Sequence, residues 1–155
     1  MIGHWRTLHT EDGAAGMPAH VTVLYPFGSQ VSQALLTEVG ARFASFEFEL
    51  AELRRFPGTL WLRPERSEPF VAMIEAFAGA FPAFPPYGGE FEDIVPHVTV
   101  AHGDERLFAG IERQLAPLLP IRSRATEVAL YAFADARWQP QAPFSLNRHD
   151  AVAES

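Results

Sequence analysis

Ala19-His20-Val21-Thr22-Val23-Leu24 and Pro96-His97-Val98-Thr99-Val100-Ala101 share one core, His-Val-Thr-Val, repeated 77 residues apart. Both copies are rich in β-branched residues, which favour extended backbone. Side chains alternate along an extended chain, so each His faces the same side as its Thr, roughly 6.5–7 Å away at ~3.3 Å per residue. A recurring tetrapeptide carries little weight alone. Here the context repeats too: each copy is followed by a turn, a helical pattern and a strand pattern. That order predicts two related lobes, each presenting one His and one Thr to a common cleft about a pseudo-two-fold axis.

The flanking sequence supplies the other elements. Residues 1–18 read as a short amphipathic lead followed by a loop, and His20–Tyr25 as a strand ended by Pro26. Ser29 or Ser32 caps an expected helix to about Phe43, with Val31, Leu35, Leu36 and Val39 on one side. Phe46–Leu53 alternates apolar and acidic residues, Phe56-Pro57-Gly58 marks a turn, and Thr59–Leu62 is a second strand, giving an antiparallel hairpin. Ser67-Glu68-Pro69 opens a helix with Phe70, Met73, Ile74, Phe77 and Phe81 on its apolar face. A Pro- and Gly-rich loop over residues 82–90 leads to a strand from Val95 to Ala101. A helix from Gly103 or Asp104 to about Leu119, a strand from Thr126 to Ala134 and a last arm from Trp138 to Leu146 complete the pattern. The fold class is α+β. No linker divides residues 1–155, which form a single domain carrying both lobes.

Two imidazoles and two hydroxyls at one cleft suit a phosphodiester. One imidazole takes a proton from water or a ribose hydroxyl, and the other protonates the leaving oxygen. Histidine, with an ordinary pKa near 6.5, can do both near neutral pH. The hydroxyls of Thr22 and Thr99 hold non-bridging oxygens. This chemistry needs no metal and implies no cofactor. His20, His97 and His102 are the alternative as a metal-binding set, but no carboxylate stands at a ligating spacing such as His-Glu-x-x-His.

Composition bounds the partners. The 155-residue chain has 48% apolar residues, enough for one packed core. Its basic residues are all Arg, and 12 of them against 19 acidic residues leave a net charge of −7. Long duplex nucleic acid is therefore disfavoured, since its affinity comes from many phosphate contacts. A small anion held by local groups is not. With no Cys, thiol catalysis, disulfides and thiolate zinc sites are excluded. No apolar run reaches a membrane span, and Met1–Arg6 lacks the apolar core of a secretory leader, so a cytoplasmic protein is expected.

The two motifs, His20-Val21-Thr22-Val23 and His97-Val98-Thr99-Val100, resemble those of the two-histidine (2H) phosphoesterase superfamily, in particular its 2'-5' RNA ligase-like (LigT-like) branch. The resemblance extends to Pro18-Ala19, Leu24-Tyr25-Pro26-Phe27, Thr59-Leu60-Trp61-Leu62 and Pro85-Pro86-Tyr87-Gly88-Gly89, covering about residues 15–135. It implies a bilobal fold, with two antiparallel sheets backed by helices on their outer faces and an active-site groove between the lobes. It also implies hydrolysis of 2',3'-cyclic phosphates on nucleotides or RNA ends, with reversible 2'-5' ligation in some members. Catalytic roles carry over to His20 and His97, and phosphate contacts to Thr22 and Thr99. One departure stands out: only 19 residues precede His20, and Met1–His9 makes a poor strand. A sheet edge is then expected to need cover from the C-terminal tail or another subunit.

Tyr25 and Tyr87 are candidates for stacking on a base, and Arg63 for holding phosphate. Each also has an ordinary structural reading: Tyr25 covering the following helix, Tyr87 pinning its loop, Arg63 solvated. His102 falls on the opposite strand face from His97 and reads as structural. The rival to an enzyme is a module that binds a nucleotide or RNA end without turnover. A purely structural role for the repeat would predict loss of His or Thr from one copy, and neither is lost.

Overall fold

The long strand β1 (Phe46–Phe56) is central to the architecture. In the computed structural model, the described residues are 2–25, 27, 31–85 and 94–146. β1 turns at Pro57-Gly58 into β2 (Thr59–Pro64), antiparallel in register Phe56 to Thr59 and Arg54 to Trp61. Gly58 takes a positive φ of 74°, which the tight turn favours in glycine. β3 (Val98–His102) pairs with β2, and β4 (Ile121–Ala125) pairs with the other half of β1, giving the sheet order β3-β2-β1-β4. A second antiparallel sheet is the hairpin of β5 (Glu127–Ala134) and β6 (Arg137–Ser145).

Helices cover both sheets, around two clusters of apolar side chains. In the first, Leu60, Leu62, Val98 and Val100 meet Phe108, Ile111 and Leu115 of α5 (Glu105–Leu115) and Ile2 and Trp5 at the N-terminal helix α1 (Gly3–His9). In the second, Leu36 and Val39 of α3 (Gln33–Ala41) meet Met73 and Phe77 of α4 (Glu68–Ala80) and Phe144 of β6. Local chemistry sets the helix starts. Ser32 and Asp104 accept from the backbone N–H three residues on, at 3.1 and 2.9 Å. A short helix, α2 (Glu11–Ala14), is capped likewise by Thr10.

The two antiparallel sheets with helices are those expected, but several elements differ. His20–Tyr25 is not a strand: β-branched residues extend the backbone, but a strand also needs a neighbour to complete its hydrogen bonds. Val21 packs on the first cluster, Val23 and Leu24 on the second, so the segment crosses between cores instead of edging one sheet. The strand expected from Val95 begins at Val98. The helix expected to reach Leu119 ends at Leu115 and tightens into a 3₁₀ turn over Ala116–Leu118. The N-terminal lead is helical. Strand β4 has no counterpart among the sequence expectations. Ser29 and the greater part of the 82–90 loop, Tyr87 included, lie outside the described residues.

The sheet edge is also covered differently. At Thr99 the edge is met by α1: Arg6 donates from Nη1 to its carbonyl at 2.9 Å, satisfying an edge acceptor of β3.

Leu60 is fully buried between the first-cluster helices and the sheet. Leu60→Ala should therefore cost about 2–5 kcal/mol, read as a lower denaturant midpoint at unchanged slope. Leu8→Ala, at a 72% exposed position, should stay within about 0.5 kcal/mol of the parent.

Candidate active site

The second motif is built by strand alternation. Val98 and Val100 point into the first cluster and are buried. His97 and Thr99 therefore take the opposite face, where both are half-buried. The His97 ring stands edge-on to Phe56 (centroids 5.4 Å apart, 89° between planes) and close to Trp61 (5.8 Å, 70°). Phe56 and Trp61 are themselves stacked at 4.5 Å. This aromatic wall fixes the imidazole and withdraws it from water.

The first motif reaches the same local geometry without being a strand. His20 Nδ1 lies 2.7 Å from the carbonyl of Pro18, and His97 Nδ1 lies 2.7 Å from that of Val95. Each carbonyl belongs to the residue two before the histidine. A carbonyl oxygen can only accept, so each Nδ1 carries the proton and donates it. The neutral rings are thereby held as the tautomer whose basic nitrogen is Nε2. Each imidazole thus makes the same local Nδ1 bond and has a half-buried threonine two residues on.

Electrostatics favours the neutral form of both rings. Burial pushes His20 below its ordinary value, opposed by the Pro18 hydrogen bond; Arg6 and His97 push it down further and Asp12 pulls it up. His97 is lowered by burial, against the Val95 hydrogen bond. A charge on His97 thus also disfavours a charge on His20.

The neighbouring side chains divide. Tyr25 is 54% exposed, with its ring edge-on to Trp138 of β6 at 6.2 Å. Trp138 in turn touches Phe133 of β5 at 5.3 Å, so the hairpin extends an aromatic surface from the first motif. Arg63 is half-exposed and lies 3.7 Å from Glu52, which also accepts from Arg54 at 3.0 Å. His102 Nδ1 lies 3.1 Å from the Thr59 hydroxyl. Because the register shifts between Leu60 and Trp61, His102 and Thr99 pair with Thr59 and Trp61 on one face of β2, so His102 does not take the opposite face expected of a regular strand. Among the described residues, no three His, Asp or Glu side chains are grouped to hold a metal ion.

Arg6 escaped the sequence reading. It is 1% exposed and bonds Thr99 of the second motif, Asp12, and the carbonyl of Met17 just before the first motif. Burial of Asp12 alone would raise its pKa, but the hydrogen bond and charge of Arg6 outweigh this and hold it low. The available signal was helical spacing. Ile2, Trp5, Arg6 and Thr10 recur at the period of one buried helix face, which places an arginine where an apolar residue is normal.

Paired histidines fixed at Nδ1, each accompanied by a threonine on an α+β scaffold of two antiparallel sheets, define the class of two-histidine phosphoesterases. The sequence profile of the 2'-5' RNA ligase superfamily matches residues 2–137, and the chain belongs to that superfamily. No curated protein sequence matches it. Among solved structures, the chain is similar to E. coli LigT complexed with NADP+ (TM-score 0.57, 20% identity, 95% of this chain and 89% of that one). It is also similar to a phosphoesterase (TM-score 0.54, 19% identity, 95% and 90%). E. coli LigT complexed with 3'-AMP aligns comparably (TM-score 0.55, 20% identity, 95% and 90%). At these identities the likeness speaks for the fold, while family membership supports a phosphoesterase-type function.

The lowered histidines make stability pH-dependent. The unfolded chain regains ordinary imidazoles and binds more protons below about pH 6.5, so stability rises with pH through that window. The contribution of the two neutral rings is complete above it and is lost as pH falls towards their folded values. Asp12 titrates below its ordinary 3.8, clear of this range. The denaturant midpoint should drop between pH 7.5 and 5.5, and drop less in His20→Asn/His97→Asn. An equal drop in the double variant would contradict the assignment.

Proposed function

We propose that the protein is a metal-independent cyclic phosphodiesterase that opens 2',3'-cyclic phosphates on nucleotides or RNA ends. The observation that carries this reading is the matched pair of bonds, His20 Nδ1 to Pro18 and His97 Nδ1 to Val95, which orients both rings alike. One neutral imidazole takes a proton at Nε2 from water as the water oxygen attacks phosphorus. The bond from phosphorus to one ribose oxygen breaks, and the other imidazole gives its Nε2 proton to that oxygen. The ring that began neutral ends protonated and the other ends neutral, so charge balances, and the reverse reaction exchanges the roles. Thr22 and Thr99 hold the non-bridging oxygens where negative charge builds. Reversible 2'-5' RNA ligation uses the same groups, with a ribose hydroxyl in place of water.

Exposed Tyr25, backed by Trp138, is suited to stack on the base, and Arg63 to steady phosphate from the neighbouring strand. The complexes of E. coli LigT with NADP+ and 3'-AMP favour a nucleotide as the ligand class. A binding module without turnover would use the same surface but would not need two imidazoles able to titrate.

The test is turnover of 2',3'-cyclic nucleotides and of a short RNA ending in a 2',3'-cyclic phosphate, in EDTA. His20→Ala and His97→Ala should each lose about 10²–10⁴-fold in kcat, the usual contribution of a general acid or base. Tyr25→Ala should mainly raise KM, by about 5- to 100-fold if one base stacks there. No turnover by the intact protein would sink the hydrolase reading. Retained affinity in His→Asn variants would then favour the binding module.

A further inference from the structure

Arg6 sits between the two motifs, and its bonds reach both. Nη1 donates to the Thr99 carbonyl at 2.9 Å; Nη2 donates to Asp12 Oδ2 at 2.9 Å and to the Met17 carbonyl at 3.1 Å. Met17 adjoins Pro18, whose carbonyl fixes the His20 ring, and Thr99 lies two residues after His97. One guanidinium therefore links the segment before His20 to the strand that carries His97 and Thr99. The first of these is not in a sheet and has no ladder to fix its distance from β3.

The choice of residue is informative. Burying an ion pair is costly, and well-packed apolar residues often do as well for stability. Among the described residues, the buried Nε of Arg6 has no partner. A planar fork does what no apolar side chain can: it donates in separate directions to two carbonyls and a carboxylate. The same pair supplies charge beside the active site. The charged and titratable groups facing His20 are Arg6 from α1, Asp12 from α2 and His97 from the opposite motif.

We propose that Arg6 is a positioning residue: its guanidinium sets the spacing of the two histidine motifs, and its pairing with Asp12 sets the charge that His20 faces. This rests on the reading that His20 and His97 act together.

The test uses the full chain and three variants. Imidazole titration is followed by NMR, with the His20 signal assigned by its loss in His20→Asn and His97 as the internal control. Asp12→Asn removes the anion and keeps the cation, so the His20 midpoint should move down. Arg6→Met removes the cation beside a remaining carboxylate, so it should move up. Arg6→Lys keeps the charge without the fork. Its His20 midpoint should stay near the parent, while kcat falls about 10- to 100-fold with KM within about threefold, as for a misplaced catalytic group. A merely structural Arg6 would lower stability and leave the His20 midpoint unmoved in all variants, and that result overturns the proposal. Should Arg6→Met fail to fold, Asp12→Asn decides: a downward shift supports it and no shift overturns it. The titrations need no turnover, so absence of cyclic phosphodiesterase activity would defeat the proposed reaction without deciding the role of Arg6.

Discussion

Val98 can be buried under α5 only if the residues on either side of it turn away, and that sidedness places the chemistry. The period of two along β3 sends His97 and Thr99 to the face opposite the first apolar cluster. Trp61 pairs directly with Thr99 across β2 and Arg54 with Trp61 across β1, so these residues share that face. The Phe56–Trp61 stack then stands where it can hold the His97 ring. A slip of one residue in the β2–β3 register would bury the histidine and expose the valines, so hydrophobic burial enforces the position of a polar group.

The first motif shows that the chemistry repeats more faithfully than the secondary structure. His20 has no strand around it, yet its ring makes the same Nδ1 bond, over the same two-residue step and at the same 2.7 Å, as His97. What the two halves share is a local side-chain-to-backbone bond requiring only extended backbone around the histidine. Strand pairing supplies that at the second copy. At the first, it comes from Val21 and Val23 packing into different clusters and from Arg6 holding Met17. A pseudo-symmetric pair of imidazoles can thus sit on an asymmetric scaffold.

Legibility followed the range of the interaction that fixes each element. The β1–β2 hairpin was readable because its alternation and its Phe56-Pro57-Gly58 turn are local. The helix after the second motif was readable because Asp104 caps it and its apolar residues repeat at helical spacing. The His-x-Thr motif was readable because it repeats within two short local segments. β4 was missed because Ile121-Arg122-Ser123-Arg124-Ala125 carries no strand pattern of its own. It is a strand because its backbone pairs with Phe46–Leu50 of β1, with Arg122 and Arg124 standing 3.0 and 3.5 Å from Glu49 and Glu47 across the ladder. Arg6 was missed for the same reason: the three segments it joins are separate in sequence, and only the fold brings their acceptors together.

Charge distribution bears on what kind of anion the cleft can serve. Arg42, Arg54, Arg55, Arg63, Arg122 and Arg124 all stand beside glutamates, and Arg6 is buried against Asp12. A chain of net charge −7 that pairs its arginines this way offers little to a polyanion, whose affinity accumulates phosphate by phosphate. Recognition then has to be local. In the proposed reaction one ring is protonated and the other neutral, so the pair presents a single positive charge to a singly charged cyclic phosphodiester. Their low dielectric surroundings, set by the aromatic wall at His97, strengthen that one contact where solvent would weaken it. The burial that favours neutral histidines is thus the same burial that makes a singly charged phosphate a favourable partner for a protonated one.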